Sequence, residues 1–176
     1  DKIDIETQLD WVKKMNFGGV EIAFVYPLEN CETGVEWLSP EWTELVTHAK
    51  KYCDKLELAC DFTLGTLWPF GGSIVSKRDA SQTFNGLSTQ RLRKSWESRH
   101  KEPGYILNHL DKTAFAHYSD NMFQALNPAL TGSKSGLFCD SWEVETEGLW
   151  SEGMDEVFQA RFGYDLNPFK ADLDNH

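Results

Sequence analysis

A chain of 176 residues that is 40% hydrophobic has the material for one sizeable core. Its formal net charge of −11 argues against nucleic acid and anionic membranes as partners, since both would repel it. No apolar run is long enough to cross a bilayer as a helix.

In chain order, Asp4 to Asn16 predicts an amphipathic helix, with Ile5, Leu9, Val12 and Met15 at helical spacing. Phe17-Gly-Gly19 is expected to end it with a left-handed residue. Val20 to Val25 reads as a strand that stops before Pro27. Ser39-Pro-Glu41 opens a second helix, with Ser as N-cap, Pro in the first turn and an acid beside it. Trp42, Leu45, Val46, Ala49 and Cys53 form its apolar stripe, and Leu56 to Leu64 is the next strand.

Gly65 to Gly72 is a loop dense in Gly, Pro and aromatics. It lacks the spacing of a phosphate-binding loop. Ser73 to Pro103 is polar, with 81–103 expected to be irregular, and its basic stretch from Arg91 to Lys101 reads as solvated surface. Gly104 to Asn108 is expected as a third strand, followed by a helix to about Leu126 capped by Asp111. Gly136 to Asp140 is a further strand, and Glu152 to Phe162 a helix stopped by Gly163, with Asn167-Pro168 a later break.

Strands and helices alternating at this spacing imply βα units and a parallel sheet. Three or four strands are expected, whereas a complete (β/α)8 barrel takes about 250 residues. The expected fold is therefore α/β, a partial (β/α)8 TIM barrel comprising roughly its first half, with residues 1–176 a fragment of one catalytic domain. The first residue is Asp, so the natural N-terminus is expected upstream. Cys31, Cys53, Cys60 and Cys139 lack CxxC spacing; Cys53 on a helix stripe and Cys60 and Cys139 in strands are expected as buried thiols rather than zinc ligands or disulfides.

The most informative segment runs from Gly136 to Glu147, where an apolar run ends in Asp140, Glu143, Glu145 and Glu147. Carboxylates crowded past a strand's C-terminal end are costly unless water, a cation or a substrate stabilises them. In parallel α/β folds that end of the sheet is also where active sites lie. Paired carboxylates point first to glycoside hydrolysis, against the plainer reading of a solvated acidic loop. Seven Trp and eleven Phe fit the same chemistry, because sugar C–H faces stack on rings, although any one ring suits ordinary packing as well.

Six motifs in order carry a resemblance. They are Phe17-Gly-Gly-Val-Glu-Ile22, Leu38-Ser-Pro-Glu-Trp42, Asp61-Phe-Thr-Leu-Gly65 with Trp68-Pro-Phe-Gly-Gly72, His109-Leu-Asp-Lys112, Phe138-Cys-Asp-Ser-Trp-Glu-Val144 and Arg161-Phe-Gly-Tyr-Asp165. Together they resemble the catalytic barrel of glycoside hydrolase family 106, the α-L-rhamnosidases and their relatives, over nearly the whole chain except Ser81 to Glu102. The resemblance implies a (β/α)8 domain within a larger multidomain polypeptide and inverting hydrolysis of terminal α-L-rhamnosides on plant-derived glycans. It also implies a calcium ion near the site and a secreted or periplasmic location, with no organic cofactor. It puts Asp140 and Glu143 in the places of catalytic carboxylates. The family's other key glutamate lies well downstream, and no position after Glu147 has a matching context. The stretch between the Trp-Pro-Phe-Gly-Gly loop and His109 is also shorter than the family's.

An inverting glycosidase needs one carboxyl to protonate the leaving oxygen and another to activate water, about 6.5–9.5 Å away. Glu143 is assigned general acid, a role that requires a raised pKa, and Asp140 is assigned to orient sugar hydroxyls or tune Glu143; Trp142 contributes desolvation beside them. Glu145 and Glu147 are expected to face solvent or a cation. Glu21 and Asp61 either point into the barrel mouth as sugar or calcium ligands or pair with buried groups. Trp68 and Phe70 are expected as a sugar platform, with packing as the alternative, and His109 as a sugar contact. His48 and His117 are expected on the surface or between helices. Two other readings stay open: a barrel of this type with another sugar specificity, and a carbohydrate-binding fragment without catalysis.

Overall fold

The structure is a computed structural model that describes residues 1–24, 35–65, 69–84, 89–92, 104–139, 143–144 and 148–173. The elements in chain order are α1 (Lys2–Lys14), β1 (Gly19–Ile22), α2 (Pro40–Lys55), β2 (Ala59–Thr63), β3 (Gly71–Gly72), β4 (Gln82–Phe84), β5 (Thr89–Arg91), β6 (Tyr105–Ile106), α3 (Lys112–Leu130), β7 (Leu137–Phe138), β8 (Leu149–Trp150), α4 (Met154–Phe162) and a 3-10 turn (Asn167–Asp172). The architecture is mixed α/β. Its contacts divide the chain into two units, one of residues 1–67 with 119–141 and one of residues 68–118 with 142–176.

In the first unit, local chemistry sets the helices. Asp1 caps α1 by accepting the Asp4 backbone N–H at 3.0 Å. The helix ends one step earlier than the glycines suggest: Asn16 takes the left-handed conformation, with φ of 62°. Gly19 serves close strand approach instead, because a Cβ there would lie 2.6 Å from both the Cβ and the carbonyl oxygen of Ala59. On α2, Ser39 Oγ accepts the Trp42 N–H at 3.2 Å and Pro40 occupies the first turn. Val46, Ala49 and Cys53 are buried on its inner stripe.

The sheet of this unit has the order β1-β2-β7, all parallel. Val20 pairs with Cys60, Glu21 with Asp61 and Ile22 with Phe62. Because strand side chains alternate between faces, this register puts Val20, Ile22, Cys60 and Phe62 on one face and Glu21, Asp61 and Thr63 on the other. Cys60 and Phe62 of the first set belong to the core: Phe62 is fully buried and stacks on Phe24 at 6.4 Å, and Phe24 meets the edge of Trp42 at 4.9 Å. Burying a side chain such as Phe62 contributes roughly 1.5–3 kcal/mol.

The second unit holds two small antiparallel sheets, β3-β6 and β5-β4-β8. Val75, Ala80, Leu107 and Trp150 are among its buried side chains, and buried Ser81 donates its hydroxyl to the Leu107 carbonyl at 2.7 Å. Near the chain's end, Phe158, Phe162, Tyr164 and Phe169 contact one another with centroids 4.7 to 5.8 Å apart.

Several sequence expectations change here. Among the described residues no sheet closes; of the expected partial barrel they show a three-stranded parallel sheet within a mixed α/β chain. The strand expected over 104–108 does not join that sheet; β6 pairs antiparallel with the two glycines of β3. That pairing depends on missing side chains, since a Cβ on Gly104 would lie 2.5 Å from the Gly72 backbone. Within the polar stretch expected to be irregular, 82–84 and 89–91 form paired strands. Cys53 and Cys60 are buried as expected, but Cys139 is exposed on the sheet's β7 side, where Leu137 and Phe138 are exposed too. Among the described residues no helix is long and apolar enough to cross a membrane.

Candidate functional site

The polar face of the parallel sheet is built by register. Glu21 and Asp61 are direct neighbours on β1 and β2, so their carboxylates stand side by side on an exposed face. Two like charges at adjacent strand positions repel, and each is tied by a donor. Thr63, fully buried two residues beyond Asp61, donates its hydroxyl to Glu21 Oε1 at 2.7 Å. The backbone N–H of Gly136, at the entry to β7, donates to Asp61 Oδ1 at 2.6 Å. A side chain at position 136 would crowd that carboxylate, since a Cβ would come within 3.3 Å of it. Thr63 and Gly136 are site residues that the sequence reading missed. Thr63 sits two positions from Asp61 and so was findable from strand alternation; the Gly136 contact carries no sequence signal.

Such a face can accept hydrogen bonds from a polyol or attract a cation. It falls short of a calcium cage: Glu21, Asp61 and Thr63 supply too few oxygens for the about six to eight that calcium takes. Among the described residues no three His, Cys, Asp or Glu side chains are grouped to hold a metal. Glu145 and Glu147, expected to face solvent or a cation, lie outside the described residues.

An open cavity of about 450 Å³ lies on the other side of β1, between α1 and α2. Ile5, Leu9, Val12, Val20, Ile22 and Val46 line it, with Asp1, Asp4 and Gln8 as its polar members. Sugar pockets need several converging polar groups, and this cavity faces away from Glu21 and Asp61.

In the second unit, Phe70 is buried rather than presented to solvent. It stacks on His109 at 5.8 Å and on Tyr118 at 6.1 Å. The platform expected of Phe70 is thus a packed aromatic layer, and His109 belongs to that layer. Asp111 caps α3 as expected, accepting the N–H groups of Thr113 at 2.8 Å and Ala114 at 3.3 Å. His48 bridges helices, with Nε2 3.0 Å from Glu6 Oε1, at ion-pair distance without hydrogen-bond alignment.

A polar group that the sequence reading did not join centres on Asp79. Both its carboxylate oxygens lie 3.2 Å from His117 Nδ1, and Ser76 donates its hydroxyl to Oδ2 at 2.7 Å. Burial pushes the Asp79 carboxyl up, but the Ser76 hydroxyl, the His117 ring and the Arg78 charge outweigh it and hold it below the usual carboxylate range. Beside it, Asn108 Nδ2 donates to Ser151 Oγ at 3.0 Å and the Asn108 N–H to the Asp79 carbonyl at 2.8 Å. His117 is therefore tethered, not a plain surface residue. Its separation from Asp79 along the chain hid the pair.

Glu143 is exposed and holds a left-handed backbone, with φ of 41°, while the next residue, Val144, is buried. For a residue with a Cβ that conformation costs roughly 1–2 kcal/mol. Asp140, Trp142 and Trp68 lie outside the described residues.

No family model and no curated protein matches the chain. Among solved structures, a rhamnosidase from Novosphingobium sp. PP1Y is similar over 47% of this chain and 8% of its own length, at 22% identity and a TM-score of 0.39. The chain thus spans less than a tenth of that protein. A likeness of this extent carries no argument about substrate or mechanism.

Proposed function

We propose that the chain is a piece of a glycoside hydrolase that cleaves terminal α-L-rhamnosides with inversion, Glu143 acting as general acid and Asp140 orienting the sugar. The observation that carries the reading is the ordered set of six motifs ending in Asp140-Ser-Trp-Glu143. Two structural features support it. Glu143 keeps a backbone conformation that ordinary residues avoid, and such strain collects at functional sites. Glu21, Asp61 and Thr63 form a hydrogen-bonding polar face on the parallel sheet, suited to sugar hydroxyls. Trp68 and Trp142 are the proposed substrate-binding aromatics, while Phe70 and His109 stack on each other.

In this mechanism Glu143 delivers its proton to the glycosidic oxygen while a carboxylate beyond this chain activates water on the opposite face of the ring. The carbohydrate is then the only partner needed besides the rest of the polypeptide. The acid's substrates meet it outside the cell or in the periplasm, where plant glycans are degraded.

The test is turnover of an aryl α-L-rhamnoside by the whole polypeptide beside its Glu143→Gln variant. Loss of a general acid lowers kcat by about 10²–10⁴-fold. Equal rates for the two proteins remove Glu143 from the chemistry. Rhamnose binding without turnover in either protein favours a carbohydrate-binding module.

A further inference from the structure

Helix α1 carries two apolar faces, and the fold of its own unit uses one. Ile5, Leu9 and Val12 line the cavity between α1 and α2. On the other side Ile3 is 73% exposed, Trp11 55% and Met15 53%. Together with exposed Thr7 they stand four residues apart, which places all four in one row along the helix. Met15 is the cap residue and stays in line with the row, its N–H donating to the Trp11 carbonyl at 3.0 Å. Thr7 donates its hydroxyl to the Ile3 carbonyl at 2.8 Å, so covering the row leaves no hydroxyl hydrogen without an acceptor. Phe17, two residues beyond, is exposed as well. A surface helix ordinarily turns a polar side outward, and a contiguous apolar patch on that side marks a docking surface.

The charges beside the row say what fits it. At 3.6 residues per turn, Asp4 and Lys14 fall within the same arc of about 120° as the row. Asp4 keeps 80% of its side-chain surface exposed while meeting the N-terminal ammonium at 3.2 Å. Lys14 is exposed and belongs to none of the ion pairs among the described residues. A parallel copy of α1 would set Asp4 against Asp4 and Lys14 against Lys14. An antiparallel copy, with its two-fold axis at the level of position 9, brings position 3 opposite 15, position 4 opposite 14 and position 7 opposite 11. Every level then matches: Ile3 of one copy meets Met15 of the other, Thr7 meets Trp11, and Asp4 meets Lys14, each contact made twice by symmetry.

We propose that the outer face of α1 is a self-association surface, on which a second copy of the chain packs its own α1 antiparallel. Trp11 is the anchor, because it is the largest side chain of the row and lies near the axis, where interface cores form. The Asp4–Lys14 pairs fix direction and register more than they add affinity. A helix of 13 residues is about 20 Å long, so the contact is smaller than the about 1,200 Å² at which stable interfaces begin. The dimer is accordingly weak, forming at micromolar to millimolar concentration, and it depends on both the ring and the charges.

The experiment is sedimentation equilibrium of the 176-residue chain across that concentration range, beside variants whose helix content is checked by circular dichroism. The parent is expected to approach dimer mass and Trp11→Glu to stay monomeric throughout. Asp4→Lys and Lys14→Asp each set two like-charge pairs across the axis and are expected to raise the dissociation constant at least about tenfold. Mixed in equal amounts, these two variants regain both opposite-charge pairs in the heterodimer, and the mixture is expected to recover the parent's affinity. Phe162→Glu, which removes an exposed ring near the chain's end, is expected to leave association unchanged. A parent that stays monomeric overturns the proposal and leaves the face to a partner of another kind. Association retained in Trp11→Glu overturns it by moving the interface elsewhere, and a mixture no tighter than its components overturns the antiparallel register.

Discussion

Thr63, fully buried on β2, donates its hydroxyl hydrogen to the exposed Glu21 carboxylate of β1 across 2.7 Å. The bond runs between neighbouring strands and fixes the side chain that the proposed site presents. Thr63→Val keeps the shape and removes the donor. Glu21 can rehydrate on its open face, so no unsatisfied group remains buried on that side. The expected loss is therefore at the low end for a hydrogen bond, about 0.5–1 kcal/mol by urea denaturation. Thr63→Ser should retain the bond and lose only a methyl group.

A second prediction concerns acid. The folded Asp79 carboxyl titrates below its unfolded value of about 3.9. Its contribution to stability is therefore fully present above the unfolded pKa and is lost as pH falls through the lower folded one. Asp79→Asn should cost stability near pH 6 and flatten the loss below about pH 4. Urea midpoints measured from pH 6 to pH 3 check this. An acid limb as steep in Asp79→Asn as in the parent would assign that limb to other carboxylates.

These two side chains also mark how far the sequence could be read. Helix starts were legible because their causes are local: Ser39, Pro40 and Trp42 lie within one turn, and Asp111 reaches only Thr113 and Ala114. The parallel pairing of β1 with β2 followed from the helix α2 between them, which makes a βα unit. The antiparallel pairing of Gln82 with Trp150 did not, because strands of two or three residues carry no periodicity and their partners are far apart in the chain. The strand expected at 104–108 pairs elsewhere for the same reason: the apolar run Tyr105-Ile-Leu107 looks alike in either sheet, and the choice lies with Gly71 and Gly72. In the site, Glu21 and Asp61 were legible as acids within strands, whereas the pairing of Asp79 with His117 depends on how distant segments fold together.

Gly19 supplies a steric prediction. Gly19→Ala forces a methyl group into the backbone and Cβ of Ala59 and should cost about 1–3 kcal/mol. Adding Ala59→Gly relieves the clash with the methyl group only, since the carbonyl oxygen of residue 59 remains 2.6 Å away. Rescue in that double variant is therefore expected to be incomplete, as read from thermal denaturation.

Glu143 separates stability from activity. In its left-handed backbone a glycine costs nothing sterically while alanine keeps the strain. Glu143→Gly should be more stable than Glu143→Ala by up to about 1 kcal/mol, with both inactive on an aryl rhamnoside. Alanine equal to or above glycine in a denaturant series would mean that the conformation relaxes without penalty.

Removing a cap gives the simplest check on α2. Ser39→Ala loses the acceptor for the Trp42 N–H and should destabilise by about 1 kcal/mol, with Ser39→Asp close to the parent.

The alternation of β1 and β2 makes their alignment an all-or-none matter. Cys60 and Phe62 are buried while Glu21 and Asp61 on the opposite side are exposed, so slipping a strand by one residue would drive acids into the packed side and turn apolar side chains out to water.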